Sequence, residues 1–404
     1  MDSFKPLVRF AGFEGEWEIE RFGDIIEECF DKSTIENEDT LLSSSISGMY
    51  LNSELFGHQR GQSNIGYRKV RKNMLVLSAQ NLHLGNANVN LRFDHGLVSP
   101  AYKIYDIIGA NPEFMAHWIK REQTKDFFLN ATTEGASLCR KNIIWEDLYD
   151  QYLSLPSLPE QQAISNYFTK LDEELTLQSQ KLSKLKQIKA ASLQNMFPQE
   201  GHNVAAIRFH GFRGEWKCVK LNSFAKRITR KNANLESTLA LTIASAHGLV
   251  SQMDYFNNLV VGSNIYNYYL IKKGEFAYNK SSSSGYPFGS VKRLDFYEKG
   301  ILSTLYIVFD IDETVSSDYV VHYFDSSLWH SEIAKVATEG ARNHGLLNIG
   351  AEDFLNIHIS LPSLPEQQAI ANYFTKLDRK IDLETQKLEK LKQIKAASLS
   401  KMFV

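Results

Sequence analysis

Three stretches of the chain combine cationic and hydrogen-bonding side chains with an almost complete lack of carboxylates. Residues 55–93 contain no Asp or Glu but hold Arg60, Arg68, Lys69, Arg71, Lys72 and Arg92, with Gln80 and Asn81 among them. Residues 216–235 also lack acids and carry Lys217, Lys220, Lys226, Arg227, Arg230 and Lys231. Residues 255–294 contain one acid, Glu275, against Lys272, Lys273, Lys280, Lys292 and Arg293, with Asn279, Ser282 and Tyr286 beside them. Ammonium and guanidinium groups bind phosphate oxygens, carboxylates repel them, and Arg, Asn, Gln and Ser can hydrogen-bond base edges. These stretches are therefore the candidate polyanion-binding residues. The competing reading is a solvated face on which charge has segregated by chance. The whole chain carries -2, from 45 Lys+Arg against 47 Asp+Glu, so only local charge supports the polyanion reading. Residues 1–150 sum to -6, which leaves the 55–93 stretch as the one basic region of the first block.

No reaction centre competes with this reading. The sequence has no GxGxxG after a strand, no GxxxxGK followed by Ser or Thr, no HExxH and no GxSxG. Asn111-Pro112 is followed by Glu113, not by the Pro-aromatic pair of amino-group methyltransferases. Ser281 to Gly285 reads as a flexible loop, not as a nucleophile elbow. Cys29, Cys139 and Cys218 form no CxxC pair, which argues against a disulfide framework or zinc ribbon. No catalytic residue, metal or cofactor is expected in this chain. No run of 18 apolar residues suggests a membrane span, and the opening MDSFKPLVRF lacks an apolar signal region, so a cytoplasmic location is expected.

The elements that position these residues come from a duplication. At 404 residues the chain is long for a single domain. Residues 154–198 and 360–404 agree at 34 of 45 positions, with an offset of 206. RFAGFEGEW at 9–17 answers RFHGFRGEW at 208–216 with an offset of 199. Fainter echoes are Gly96 to Ser99 with Gly300 to Ser303, and Glu134-Gly135-Ala136 with Glu339-Gly340-Ala341. The layout is variable–fixed–variable–fixed, and the second variable block is seven residues longer.

Each fixed block reads as one long helix, with Pro159 and Pro365 in its first turn and Glu160 and Glu366 at the positive end of its dipole. Ile164, Phe168, Leu171, Leu175, Leu182, Leu185 and Ile188 form a heptad seam, repeated as Ile370, Phe374, Leu377, Ile381, Leu388, Leu391 and Ile394, with Gln178 and Glu384 as polar breaks. Pairing of the two copies antiparallel accounts for such a seam; a dimer of chains or packing of each helix on its own block are the other arrangements. Pairing would leave Gln161, Gln162, Tyr167 and Lys170, and their copies Gln367, Gln368, Tyr373 and Lys376, on outer faces as partner-docking candidates. The variable blocks mix strands, such as 73–79, 101–109, 264–271 and 305–311, with helices over 111–129 and 316–337.

This organisation resembles the specificity subunit of type I restriction-modification systems, on the paired RFxGFxGEW openings, the doubled LPSLPEQQAI…NYFTKLD…QIKAASL helices and, in outline, 269–289. The resemblance implies an α+β fold: target recognition domains at 1–153 and 199–359, conserved helices at 154–198 and 360–404, and an antiparallel coiled coil with pseudo-two-fold symmetry. It implies a non-catalytic subunit that reads a bipartite target in double-stranded DNA and scaffolds two modification subunits, with restriction subunits in the full complex. S-adenosylmethionine, ATP and Mg2+ would belong to those partner subunits, and no membrane would be involved. The alternative function is a coiled-coil protein-interaction module with no DNA specificity of its own.

Overall fold

The structure is a computed structural model that describes residues 4–404 except 57–62, 134–140, 200, 245–247, 258–263, 284 and 338–346. Arg60, Cys139, Ser284 and the Glu-Gly-Ala echoes at 134–136 and 339–341 lie outside the described residues. The chain divides into two compact units, Met1–Ser179 with Gln386–Val404, and Gln180–Thr385. These units do not follow the block boundaries of the sequence; the division cuts both long helices near their middles.

In chain order the first repeat consists of β1 (Glu18–Arg21), β2 (Ile26–Cys29), β3 (Leu42–Ser45), β4 (Gly48–Leu51), α1 (Asn52–Phe56), β5 (Arg68–Arg71), β6 (Leu75–Ser78), β7 (Ala87–Val89), β8 (His95–Val98), β9 (Tyr102–Ile107), α2 (Pro112–Trp118), α3 (Glu122–Asn130), α4 (Trp145–Tyr149), β10 (Tyr152–Leu155) and α5 (Leu158–Asn195). The second repeats that order: β11 (Lys217–Lys220), β12 (Ala225–Ile228), β13 (Leu241–Ala244), β14 (Gly248–Ser251), α6 (Gln252–Phe256), β15 (Tyr269–Lys272), β16 (Phe276–Asn279), β17 (Ser290–Arg293), β18 (Lys299–Leu302), β19 (Ile307–Ile311), α7 (Ser317–Asp325), α8 (His330–Val336), α9 (Ala351–Leu355), β20 (His358–Leu361) and α10 (Leu364–Lys401). The sheets match as well. One unit has the antiparallel order β2-β9-β6-β7 with pairs β1-β10, β3-β4 and β5-β8, and the other has β12-β19-β16-β17 with β11-β20, β13-β14 and β15-β18.

Two details differ from the sequence reading. The helices expected over 111–129 and 316–337 are each two. Arg121, with extended backbone, starts α3 after α2 has ended, and Ser326, also extended, closes α7 before α8. The fixed blocks begin in strands β10 and β20, so only Leu158 and Leu364 onward are helical. The largest single part of the seven added residues of the second repeat lies between the middle strands. Val76 pairs with Asn88, but Ala277 pairs with Lys292, so the serine-rich connection is three residues longer than its counterpart.

Both RFxGFxGEW motifs do the same mechanical job. Ser157-Leu158-Pro159-Glu160 has the spacing of a capping box, but the Glu160 carboxylate, 1% exposed, is held by Arg9 through two bonds of 2.7 Å. Arg208 holds Glu366, 2% exposed, with the same pair of distances. Each arginine also donates to a glycine carbonyl, Gly15 or Gly214, inside a turn where Gly12, Gly15, Gly211 and Gly214 have φ between 85° and 97°. That left-handed conformation suits glycine and strains other residues. The closing tryptophans are buried, Trp17 against Phe114 and Phe403, Trp216 against Phe197 and Tyr319.

The seam residues split into two groups. Ile164 and Phe168 sit in the core of the first unit with Met402 and Phe403; Ile370 and Phe374 sit in the core of the second with Met196 and Phe197. Leu171, Leu182, Leu185, Leu377, Leu388 and Leu391 are buried, and Leu175 and Ile381 are half-buried. Ile188 and Ile394 are 41% and 39% exposed, so the seam stops short of them. Within the first unit Tyr167 meets Ser398 at 3.0 Å, Asp172 meets Lys395, and Glu174 approaches Lys387. Within the second, Lys181 meets Glu384, Lys189 meets Asp378 at 2.7 Å, and Ser192 meets Tyr373 at 2.8 Å. In both, one number rises as the other falls, so the paired helix halves run antiparallel.

Two outcomes test this framework. Replacing Arg208 by Ala strands a buried carboxylate and should cost about 2–3 kcal/mol in denaturant titration; a loss below about 0.5 kcal/mol, the range of ordinary surface changes, would make the pair a surface contact. His117 and His322 occupy matching places under α5 and α10, and burial lowers both imidazoles, His117 to about 4. Below pH 6.5 the unfolded chain takes protons that the fold refuses. Stability should therefore fall as pH drops from 6.5 towards 4, by up to about 3 kcal/mol for His117, and His117→Gln should flatten that slope in pH-resolved unfolding.

Candidate nucleic-acid interface

In the first unit the 55–93 stretch is free of acids along the chain but not in space. The Lys69 ammonium pairs with Glu38, Arg71 lies 3.0 Å from Asp106, and Arg92 makes bonds of 2.6 and 3.0 Å to Glu54. Hydrogen bonds from Lys69 and Arg92 hold Glu38 and Glu54 below the usual carboxylate range. Arg68 is half-buried with its guanidinium 5.8 Å from the Phe30 ring, and its Nε and Nη1 have no hydrogen-bond partner. Lys72 is exposed in the β5–β6 turn, made by Asn73 at φ 69°. Gln80 is exposed and Asn81 half-buried after β6.

In the second unit the candidates separate by role. Lys226, Arg227 and Lys272 are exposed and make no ion pair among the described residues. Lys273 pairs with Glu298 at 2.8 Å. Arg230 is committed to the buried Glu275, at 2.7 and 2.8 Å, and Glu275 also accepts from the Lys272 backbone. Lys231 lies 4.1 Å from the Tyr269 ring centre and donates to the Asn267 carbonyl. Lys280 donates to the Ile349 carbonyl and the Asn279 side chain accepts from Ser281. Ser282 is exposed and Tyr286 half-buried.

Lys292 and Arg293 are engaged within their own unit. They lie on the edge strand β17, where Lys292 meets Asp325 of α7 at 2.6 Å and Arg293 meets Asp318 of α7 at 2.8 Å and Asp295, just after its own strand, at 2.6 Å. Asp325 is kept below the usual carboxylate range, against its own burial, by Lys292 and Lys189. The same residues place His322, Asp325 and Asp378 within 4.8 Å of one another, the spacing of a metal site, but two ammonium groups already neutralise these carboxylates. The first unit inverts this arrangement. Strand register and helix order put Asn88 where Lys292 stands and Lys120 where Asp325 stands. Lys120 donates to Asn88 and to the Ile46 and Ala87 carbonyls, and burial lowers its amine to about 8.

What recurs in both units is one turn. Arg71-Lys72 leads from β5 to β6, and Lys272-Lys273 leads from β15 to β16, where Gly274 has φ 89°. Across the strand pair Arg71 faces His95, and Lys272 faces Lys299. Lys272 and Lys299 are like charges directly opposite one another, which destabilises a sheet unless something anionic offsets them; Lys299 has Glu236 at 3.5 Å, and His95 meets Asp39 at 2.5 Å. His95 and Lys299 were not singled out by the sequence, because strand register alone brings them to the patch.

The expected docking faces are also reduced. Gln161 and Gln367 are buried and tie each helix start to its own domain, through Asn111 and Pro156 or through Ser316 and Pro362. Tyr167 and Tyr373 are half-buried, against Phe10 and Phe209 and in the helix-pair bonds above. Gln162, Lys170, Gln368 and Lys376 remain exposed.

Residues 215–393 match a family model described as the type I restriction modification DNA specificity domain. No curated protein sequence matches the chain. Among solved structures, the chain is similar to the S subunit of a type I restriction-modification system from M. genitalium, at 13% identity and TM-score 0.58, with 99% of each chain covered. It is similar to a chain from work on complex assembly and conformational transition of the type I R-M system, at 14% identity and TM-score 0.50, covering 96% of this chain and 97% of that one. The HsdS subunit from Thermoanaerobacter tengcongensis aligns at 16% identity and TM-score 0.47, over 96% of each chain. The first two likenesses are of fold. With the family match they bear out the resemblance read from the repeated helices and the mixed α/β architecture with long paired helices. Among the described residues no helix is long and apolar enough to cross a membrane.

The split between inward and outward cations predicts opposite effects on stability. Lys292→Ala should cost about 2–3 kcal/mol by leaving Asp325 without its nearest counter-charge. Lys272→Ala should change stability by less than about 0.5 kcal/mol, or raise it slightly by relieving Lys299. Equal losses in the two variants, measured by chemical denaturation, would remove the distinction.

Proposed function

We propose that this chain is the DNA-specificity subunit of a type I restriction-modification assembly. Each mixed domain would read one half of a bipartite site in double-stranded DNA, and the paired helices would set the gap between the halves. The observation that carries this reading is the match of residues 215–393 to the specificity-domain family, extended by the recurrence of the same element order in the first repeat. The phosphate contacts would centre on the Arg71-Lys72 and Lys272-Lys273 turns, with Arg68, Lys226 and Arg227 nearby in sequence or sheet as candidates for further contacts. Catalysis would lie in partner subunits, which would bring S-adenosylmethionine, ATP and Mg2+. The helices keep the same exposed residues at Gln162 and Gln368 and at Lys170 and Lys376, so one kind of modification subunit would be bound twice.

Two measurements test this reading. Methylation mapping in a host with and without the gene should show a split target with unread bases between its halves; a contiguous target would contradict the two-domain reading. Native mass of the complex co-purified with modification subunits should show two of them per chain. Binding of partner without any DNA preference would favour the protein-interaction module instead.

A further inference from the structure

We infer that Glu38, Glu54 and Asp106 are specificity-determining residues of the first domain, acting as built-in competitors for the cations that would otherwise hold any DNA backbone. The inference rests on the DNA-reading function proposed above and concerns how stringent that reading is. Each acid occupies a cation of the 55–93 stretch: Glu38 holds Lys69, Asp106 holds Arg71, and Glu54 holds Arg92. All three pairs are partly exposed, so a phosphate can reach and replace the carboxylate. Replacement is an exchange, not a gain. A phosphate contact releases condensed counterions, but the freed carboxylate takes its place in solution and faces the polyanion unpaired. Non-specific contact with the backbone therefore gains little from these cations. A correct half-site, which adds base-edge bonds, can carry the exchange.

The second domain supplies an internal comparison. By strand register Leu270 stands where Lys69 does and Lys272 where Arg71 does, and Phe296 follows at the place of Arg92. Asp310 corresponds to Asp106 but faces Lys226 across β12 and β19, and Lys272 is left exposed without an ion pair among the described residues. At the places of Lys69, Arg71 and Arg92 the second domain thus carries one cation, Lys272, with no acid competing for it, while its Arg230, Lys273 and Lys299 are paired with Glu275, Glu298 and Glu236. At these three positions the competition with phosphate is a feature of the first domain, which would add discrimination there.

The test uses the full chain in complex with its modification subunits. One variant carries Glu38→Gln, Glu54→Gln and Asp106→Asn. A control removes the same charge from exposed acids of the same domain, Asp126→Asn, Glu146→Gln and Asp147→Asn. Binding to random-sequence and to target DNA is measured over a salt series. The inference expects the first variant to bind random DNA about tenfold more tightly than the control, with a log–log salt slope steeper by about 0.9 for each cation that reaches a phosphate. Its preference for the target should shrink accordingly. Equal random-DNA affinity and slope in variant and control would overturn the inference while leaving the proposed function intact. An unaltered complex with no preference for any DNA would overturn that function, and this inference with it. Glu54→Gln alone, which keeps an acceptor for the Leu51 backbone, gives the same comparison for Arg92 if the triple variant misfolds.

Discussion

A carboxylate in the first turn of a helix and almost fully buried cannot be left alone, and much of this architecture follows from that constraint. Glu160 and Glu366 favour the positive ends of their helices, but burial at 1% and 2% exposure calls for a cation with matched geometry. Arg9 and Arg208 provide it with two parallel bonds each, and to do so the preceding chain must fold back on the helix start. The left-handed glycines, the glycine carbonyls that take the remaining guanidinium protons, and the buried tryptophans all serve that return path. Each helix is thereby fixed to its own domain at one end, and its leucines are left to pair with the other helix.

Those parts of the fold were legible because their signals are local or repeated. Heptad spacing marked Leu171, Leu182, Leu377 and Leu388 as buried, and duplication showed which residues the framework retains. The same method overreached where a repeated residue had a purely internal task. Gln161 and Gln367 were retained in both copies for hydrogen bonds within their own domains, which periodicity cannot distinguish from an outward role. Ile188 and Ile394 carried the pattern further than the packing does.

The candidate interface was legible only in part, for a different reason. Acid depletion along the sequence is a statement about neighbours in the chain, whereas electrostatics depends on neighbours in the sheet. The run of residues 31–33 beside Tyr67 to Lys69, the pairing of β6 with β9, and the folding of α1 against its hairpin return Glu38, Asp106 and Glu54 to a stretch that has none of its own. Lys292 and Arg293 looked like members of a basic run until α7 supplied their partners. At the recurring turn Lys72 and Lys272 are exposed and make no ion pair among the described residues, while Arg71 and Lys273 are held by Asp106 and Glu298.

The inverted polar pairs beneath the two domains constrain how such a molecule can change by recombination. A crossover inside a domain that joined β17 to α2 would set Lys292 beside Lys120, and the reciprocal product would set Asn88 beside Asp325. The first places two ammonium groups together out of water; the second leaves a largely buried carboxylate without its nearest cation, and both are costly. A crossover within the 45-residue repeats, where 34 positions are already the same, separates no such pair and moves a whole domain intact. The segments that look most redundant in this chain are therefore the places where it can be cut and rejoined with least damage, and new combinations of domains can arise there in a single genetic event.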